Sequence, residues 1–166
     1  MSKPQKSAVS DASGTGSKVS GLVISTLAAT VGVLTMDVLA SKAQMAISVV
    51  PFATSIALVA GAPGSAPAST RSILVGHFSS ALIGVVAVKI LGVGMLAGAL
   101  AVGLAVAVML ALNSLHPPAA ISPLIICQHD FGTYFIVMPV LVGAVLVVLL
   151  ARITRFLRGR FGADPV

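Results

Sequence analysis

The 166-residue chain has no glutamate and no tryptophan, a single tyrosine and a single cysteine. Four aspartates are its whole supply of carboxylate side chains. Paired-carboxylate catalysis and multi-acid proton relays therefore have little to work with. The lone Cys127 excludes an internal disulfide and says nothing of the redox compartment. A phosphate-binding glycine loop, a nucleophile elbow and a redox cysteine pair are all missing. Cys127, His129 and Asp130 sit together like metal ligands, but no second cluster completes a set of four at the usual spacing. The sequence calls for no metal and no other cofactor, and an enzyme is not expected.

Charge is also scarce. Charged residues make up 8% of the chain and apolar residues 57%, where soluble domains are roughly a quarter charged. A soluble fold of this size has no interior able to hold that much Val, Ala, Leu and Ile, so the composition predicts an all-α integral membrane protein. The charges gather at the ends: Lys3, Lys6 and Lys18 before the first apolar run, Arg152, Arg155, Arg158 and Arg160 after the last. No basic face interleaved with aromatics accompanies the net +6, so nucleic acid is not the expected partner. Such charge sets membrane topology, and it predicts both termini on the cytoplasmic side.

Residues 1–18, rich in Ser and Gly, read as a disordered polar tail, 19–156 as the transmembrane domain and 157–166 as a basic tail. "VLAS" at 38–41 loosely resembles a cleavage site, but the apolar stretch before it is longer than a usual signal core, so a retained helix is expected. Four runs are long enough to cross a bilayer: roughly 20–40, 72–91, 92–112 and 131–151. Two further apolar stretches, "AQMAISVVPFATSIALVAG" and "NSLHPPAAISPLIICQHD", are cut by Pro51 and by Pro117, Pro118 and Pro123. The expected architecture is four full helices plus two Pro-broken, re-entrant half-helix segments. "PFATSIALVAG" and "PAAISPLIICQ" share a leading proline and a serine at the fifth position, which suggests two structural repeats. An even number of crossings fits the charges whether the broken segments re-enter (parallel repeats) or cross (inverted repeats). Paired interrupted segments at corresponding places point to a transporter binding site.

Within these segments the chemistry narrows to a few residues. A proline-started helix carries partial positive charge and unsatisfied N–H donors at its first turn, a ready place for a small anion. His116, Pro117 and Pro118 make one such end, with Ser114 as a capping candidate, and Pro51 with Thr54 and Ser55 makes the other. His116 could hydrogen-bond an anion, carry a proton with it, or tie its ring to a backbone carbonyl and fix the Pro-Pro turn. His77, about one turn into a helix, reads as a structural histidine or a site residue. Arg71, in the loop "GAPGSAPASTR", reads as a topology anchor or an anion attractor at the mouth. Small residues at 76, 80 and 84, and again at 94 and 98, predict close helix packing within the chain or between copies. A homo-oligomer is expected, since so few helices give limited room to enclose a path.

These stretches resemble the HPP family of integral membrane proteins. "NSLHPPAAISPL" looks like the family's His-Pro-Pro signature, and "PFATSIALVAGAPGSAPASTRSILVGHFSSALIGV" looks like its other typical stretch, in the same order and spacing. The resemblance covers about residues 20–155. It assigns His116, Pro117 and Pro118 to the signature, and Pro51, Phe52, Arg71, Gly76 and His77 to the second stretch. One departure stands out: the family's loop usually reads "AQPR" or similar, and here it is "PASTR". The resemblance implies four membrane-spanning helices and, from plastid and cyanobacterial members, nitrite transport. The expected function is thus a transporter or channel for a small inorganic anion, nitrite first. The alternative is a membrane protein without transport, an assembly or sensory partner acting through helix contacts.

Overall fold

A computed structural model of the chain describes residues 7–42, 44, 49–129 and 131–163, with side chains from Thr15 onward. Lys3, Lys6 and Asp130 lie outside the described residues. Six α-helices follow one another: α1 (Ser7–Lys42), α2 (Val49–Gly61), α3 (Thr70–Leu91), α4 (Met95–Ala111), α5 (Ser122–His129) and α6 (Val142–Arg160). Short 3-10 turns at Ala66–Ala68 and Pro117–Ile121 lead into α3 and α5, and a wide turn at Ile136–Leu141 leads into α6. No strand occurs among the described residues.

Local chemistry sets the boundaries. Ser69 caps α3 by accepting from the Ser72 N–H at 3.1 Å, which satisfies a first-turn donor. At its other end α3 stops at Gly92, whose φ of 78° suits glycine alone. Pro139 interrupts the last apolar run, and Met138 before it adopts extended φ and ψ, as the residue preceding a proline tends to do. The run expected at 131–151 therefore forms its helix later, through Arg160. Helix α1 likewise begins at Ser7, inside the stretch read as tail.

Three segments are long and apolar enough to cross a membrane: Thr15–Lys42, Thr70–Leu91 and Ile136–Arg160. The expected fourth, α4, has 17 residues and reaches about 26 Å at the α-helical rise. The chain is an integral membrane protein. Leu22, Val23, Leu27, Val31 and Leu34 lie exposed along α1, an arrangement that only hydrocarbon or another apolar surface can cover.

Interhelical contacts give each segment its direction. Ser25 of α1 donates to the Ala60 carbonyl at the end of α2 (2.6 Å), and Gly32 faces Ile56, so α1 and α2 are antiparallel. Gly76 faces His116 and Ala119, while one turn after Ser80, Gly84 faces Pro123 and Ile126; α5 thus runs parallel to α3. The Gly94 N–H at the start of α4 donates to the Cys127 carbonyl at 2.9 Å, so α4 and α5 are antiparallel. Arg158 donates to Ser25 (2.8 Å) and Ser17 to the Gly162 carbonyl (2.8 Å), bringing α6 back beside the start of α1.

The segments consequently alternate in direction, so that α1 to α3 run opposite to α4 to α6 taken in order. The second broken segment does not fold back on itself among the described residues. From the turn at Pro117 to His129 the chain climbs roughly 22 Å, combining 3-10 and α rises, and ends beside the opposite end of α3. Three buried clusters hold the bundle, the smallest formed by Ala97 and Ala101 of α4 with Cys127 of α5. Met36, Phe52, Ile56, Ile73 and Val147 fill the space among α1, α2, α3 and α6. Ala81, Val85, Ile126, Phe135 and Val140 fill that between α3, α5 and the entry to α6.

Candidate functional site

Helices α2 and α3 and the His-Pro-Pro turn meet at one buried polar row. Ser55 Oγ of α2 lies 2.9 Å from His77 Nε2 of α3 and 2.9 Å from His116 Nε2. All three side chains are fully buried. His116 Nδ1 lies 2.7 Å from the Pro67 carbonyl, and since a carbonyl only accepts, the imidazole N–H donates there. Ser55 Oγ is also 2.8 Å from the Pro51 carbonyl one turn back. Among the described residues His77 Nδ1 has no partner, although it is buried.

The packing that makes room for this row comes from glycines and one aromatic ring. Phe52 stacks on His77 with centroids 4.8 Å apart at 25°, and the two imidazoles are 5.1 Å apart. A Cβ at Gly76 would sit 2.8 Å from the His116 Cβ, and one at Gly143 of α6 would overlap the Phe52 ring. The small residues at 76, 80 and 84 face inward, toward the His-Pro-Pro segment. That stripe packs within the chain.

Arg71 stands one and a half turns above His77, on the terminal side of α3. Its Nε donates to Ser114 Oγ (3.1 Å) and its Nη2 to the Leu112 carbonyl (3.0 Å). Ser114 Oγ in turn donates to that same carbonyl at 3.0 Å. The guanidinium is exposed, and of its five N–H groups these bonds use two. Arg71 therefore anchors the turn before His116 and still offers donors outward.

The structure thus brings Ser55, His77 and His116 into contact, with Arg71 and Ser114 just above. Thr54, Pro117 and Pro118 lie nearby on a separate, shallow apolar cleft of about 410 Å³ shared with Leu58, Pro67 and Ile121. The expected donor-rich half-helix ends are not what these residues build. Pro117 and Pro118 have no N–H, and the Ala119 N–H donates to the His116 carbonyl (3.0 Å). Ser114 does not cap that turn. In α2, Pro51 is preceded by helical Val49 and Val50, and the Thr54 hydroxyl donates back to the Pro51 carbonyl (2.9 Å).

Two contributors carry no signal in the sequence. Pro67 acts through its carbonyl, and any residue has one. Arg158 belongs by position to the surface charges, yet it is buried and bonded to Ser25.

Helical segments of alternating direction, two of them short and proline-broken, with ionisable residues buried between them, define an all-helical membrane protein with a buried polar site. Residues 15–161 match the family described as HPP, transmembrane region, and the chain belongs to that family. It is 36% identical over 137 residues to a transmembrane protein of Dictyostelium discoideum, covering 75% of this chain and 48% of that protein. A second Dictyostelium transmembrane protein is 36% identical over 110 residues, 61% of this chain and 35% of its own length. The chain thus spans about half, or less, of the relatives' length. No solved structure matches it.

Proposed function

We propose that the protein is a transporter or channel for a small inorganic anion, with nitrite as the first candidate. The observation that carries this reading is the buried row His77–Ser55–His116. Ionisable side chains are expensive inside a membrane and mark solute or ion paths by default. The HPP-family resemblance supplies nitrite in particular. The proposed binding residues are His116, Pro117, Pro118, Ser114, Pro51, Thr54, Ser55, Arg71 and His77, with no catalytic role among them. Arg71 draws the anion to the mouth with its outward N–H groups, Pro117, Pro118 and Thr54 line the approach, and the imidazole row meets it within.

We further propose a homo-oligomer in a bacterial inner membrane with cytoplasmic termini. Lys18 and the arginines after residue 151 lie at the end of the bundle where Ser17 meets Gly162, which supports that orientation. The test is uptake by liposomes carrying the purified protein, with nitrite, formate, nitrate and chloride compared against empty vesicles. Nitrite accumulation above empty vesicles is the expected result. No uptake of any of the four anions would sink the transport reading in favour of a partner protein acting through its helices.

A further inference from the structure

Hydrogen-bond bookkeeping at Ser55 leads one step beyond anion transport. A neutral imidazole carries one N–H. His116 uses it on the Pro67 carbonyl, 2.7 Å away, so its Nε2 is a bare lone pair facing Ser55 Oγ at 2.9 Å. That contact is a hydrogen bond when the Ser55 hydroxyl donates to it in place of the Pro51 carbonyl, 2.8 Å away. Ser55 Oγ then accepts from His77 Nε2–H at 2.9 Å, which leaves His77 Nδ1 as a lone pair, buried and without a partner among the described residues. The row has one polarity in its neutral form and ends on an open acceptor.

Adding one proton breaks nothing. With Nε2 of His116 protonated, Ser55 accepts from that imidazole, and its own hydroxyl donates to the His77 Nε2 where that is bare or, where His77 keeps Nε2–H, to the Pro51 carbonyl 2.8 Å away. A hydroxyl oxygen has one proton and two lone pairs, so the three short contacts of Ser55 are all satisfied together only when both Nε2 atoms carry a proton. No carboxylate lies in α2 through α6 or in their described connections; Asp11 and Asp37 are on α1, and Asp130, directly after α5, and Asp164 lie outside the described residues. The charged groups on the surrounding elements are Arg71 and Lys89 of α3 and the arginines of α6, all cationic. α2, α4 and the His-Pro-Pro turn add no charge besides His116 itself, and His129 ends α5. Among the described residues of α2 through α6 a proton in the row finds no carboxylate counter-ion. A small anion bound beside the row would supply one.

We propose that the row is a proton acceptor entered at His77 Nδ1, and that the substrate crosses as a small anion together with one proton. This rests on the anion-transport reading above and specifies its coupling. The acid O–H, or a proton arriving beside the anion, adds to the His77 Nδ1 lone pair. His77 Nε2–H passes to Ser55 Oγ as the Ser55 proton passes to His116 Nε2. The result is His77 in its other tautomer, its bare Nε2 now accepting from the Ser55 hydroxyl, with an imidazolium at His116 and a bound anion; reversal returns the proton, so charge and atoms balance. His77 Nδ1–H then donates to the anion.

The test uses nitrite, proteoliposomes with a pH dye inside, and membrane potential clamped separately from the pH gradient. Uptake should follow an inside-alkaline gradient, ignore the potential, and carry one proton per nitrite. His77→Gln keeps an N–H toward Ser55 and lacks the Nδ1 lone pair, so it should lose the dependence on the pH gradient. Potential-driven nitrite uptake without proton movement would overturn the proposal and leave anion transport standing. If no anion is transported, nitrogen NMR of labelled histidines in lipid decides independently. Nε2–H on His77, Nδ1–H on His116 and an imidazolium appearing when nitrite is added at acidic pH support the row. The opposite tautomers, or no response to nitrite, overturn it.

Discussion

Ser55 is an ordinary residue in an extraordinary place: one hydroxyl between two imidazoles, with a carbonyl behind it. Ser55→Ala removes the partner of both Nε2 atoms at once and leaves them buried, at about 1–3 kcal/mol for an unsatisfied polar group. Thermal unfolding in detergent, followed by reaction of the buried Cys127 with a thiol dye, should show the loss. An unchanged midpoint would mean that the row contributes nothing to the fold. Ser55, His77 and His116 were each legible in the sequence as polar intruders in apolar runs. Their meeting was not, because 61 residues separate Ser55 from His116 and no local pattern encodes which helices touch. Pro67 was illegible altogether, since it acts through its backbone. The expected N–H cradle failed for a reason visible in the residue type: Pro117 and Pro118 can donate nothing.

Helices in lipid are held by close packing more than by any hydrophobic drive between them, and here single glycines decide it. Gly143→Ala drives a methyl into the Phe52 ring that stacks on His77, an overpacking cost of about 1–3 kcal/mol. Gly159→Ala in the same helix meets nothing within 4 Å and should hold or raise stability by about 0.5–1 kcal/mol. The two midpoints compared in one assay check the pair; equal effects would refute the packing described around Phe52. The sequence reveals the paired broken segments because proline is conspicuous in an apolar run. It does not reveal that they traverse the bundle, since the 3-10 turn at Pro117–Ile121 lengthens a segment that α-helical arithmetic makes too short. The small residues at 76, 80 and 84 signal close approach and leave the partner unnamed; Gly76 meets His116 and Ala119, and Gly84 meets Pro123 and Ile126 of α5.

Alternating segment directions place the two chain ends, the loop before α3 and the turn at Asn113 on one face of the molecule, and the turns at Val93 and Tyr134 on the other. With Cys127 replaced by alanine, Asn113→Cys and Tyr134→Cys should react with a membrane-impermeant thiol reagent from opposite sides of sealed vesicles. Reaction of both from the same side would contradict the six-segment course. At this scale the composition alone predicts the membrane and the end charges predict an even number of crossings, whereas the alternating direction of the segments emerges only from contacts such as Gly94 with Cys127. The central claim is that a buried imidazole row in this bundle moves a small anion. Its most direct test is nitrite uptake by liposomes carrying the wild-type protein or His116→Ala, each shown to be folded by the unreactivity of buried Cys127. The account predicts uptake by the wild type and its loss in the variant; equal uptake by both would contradict it.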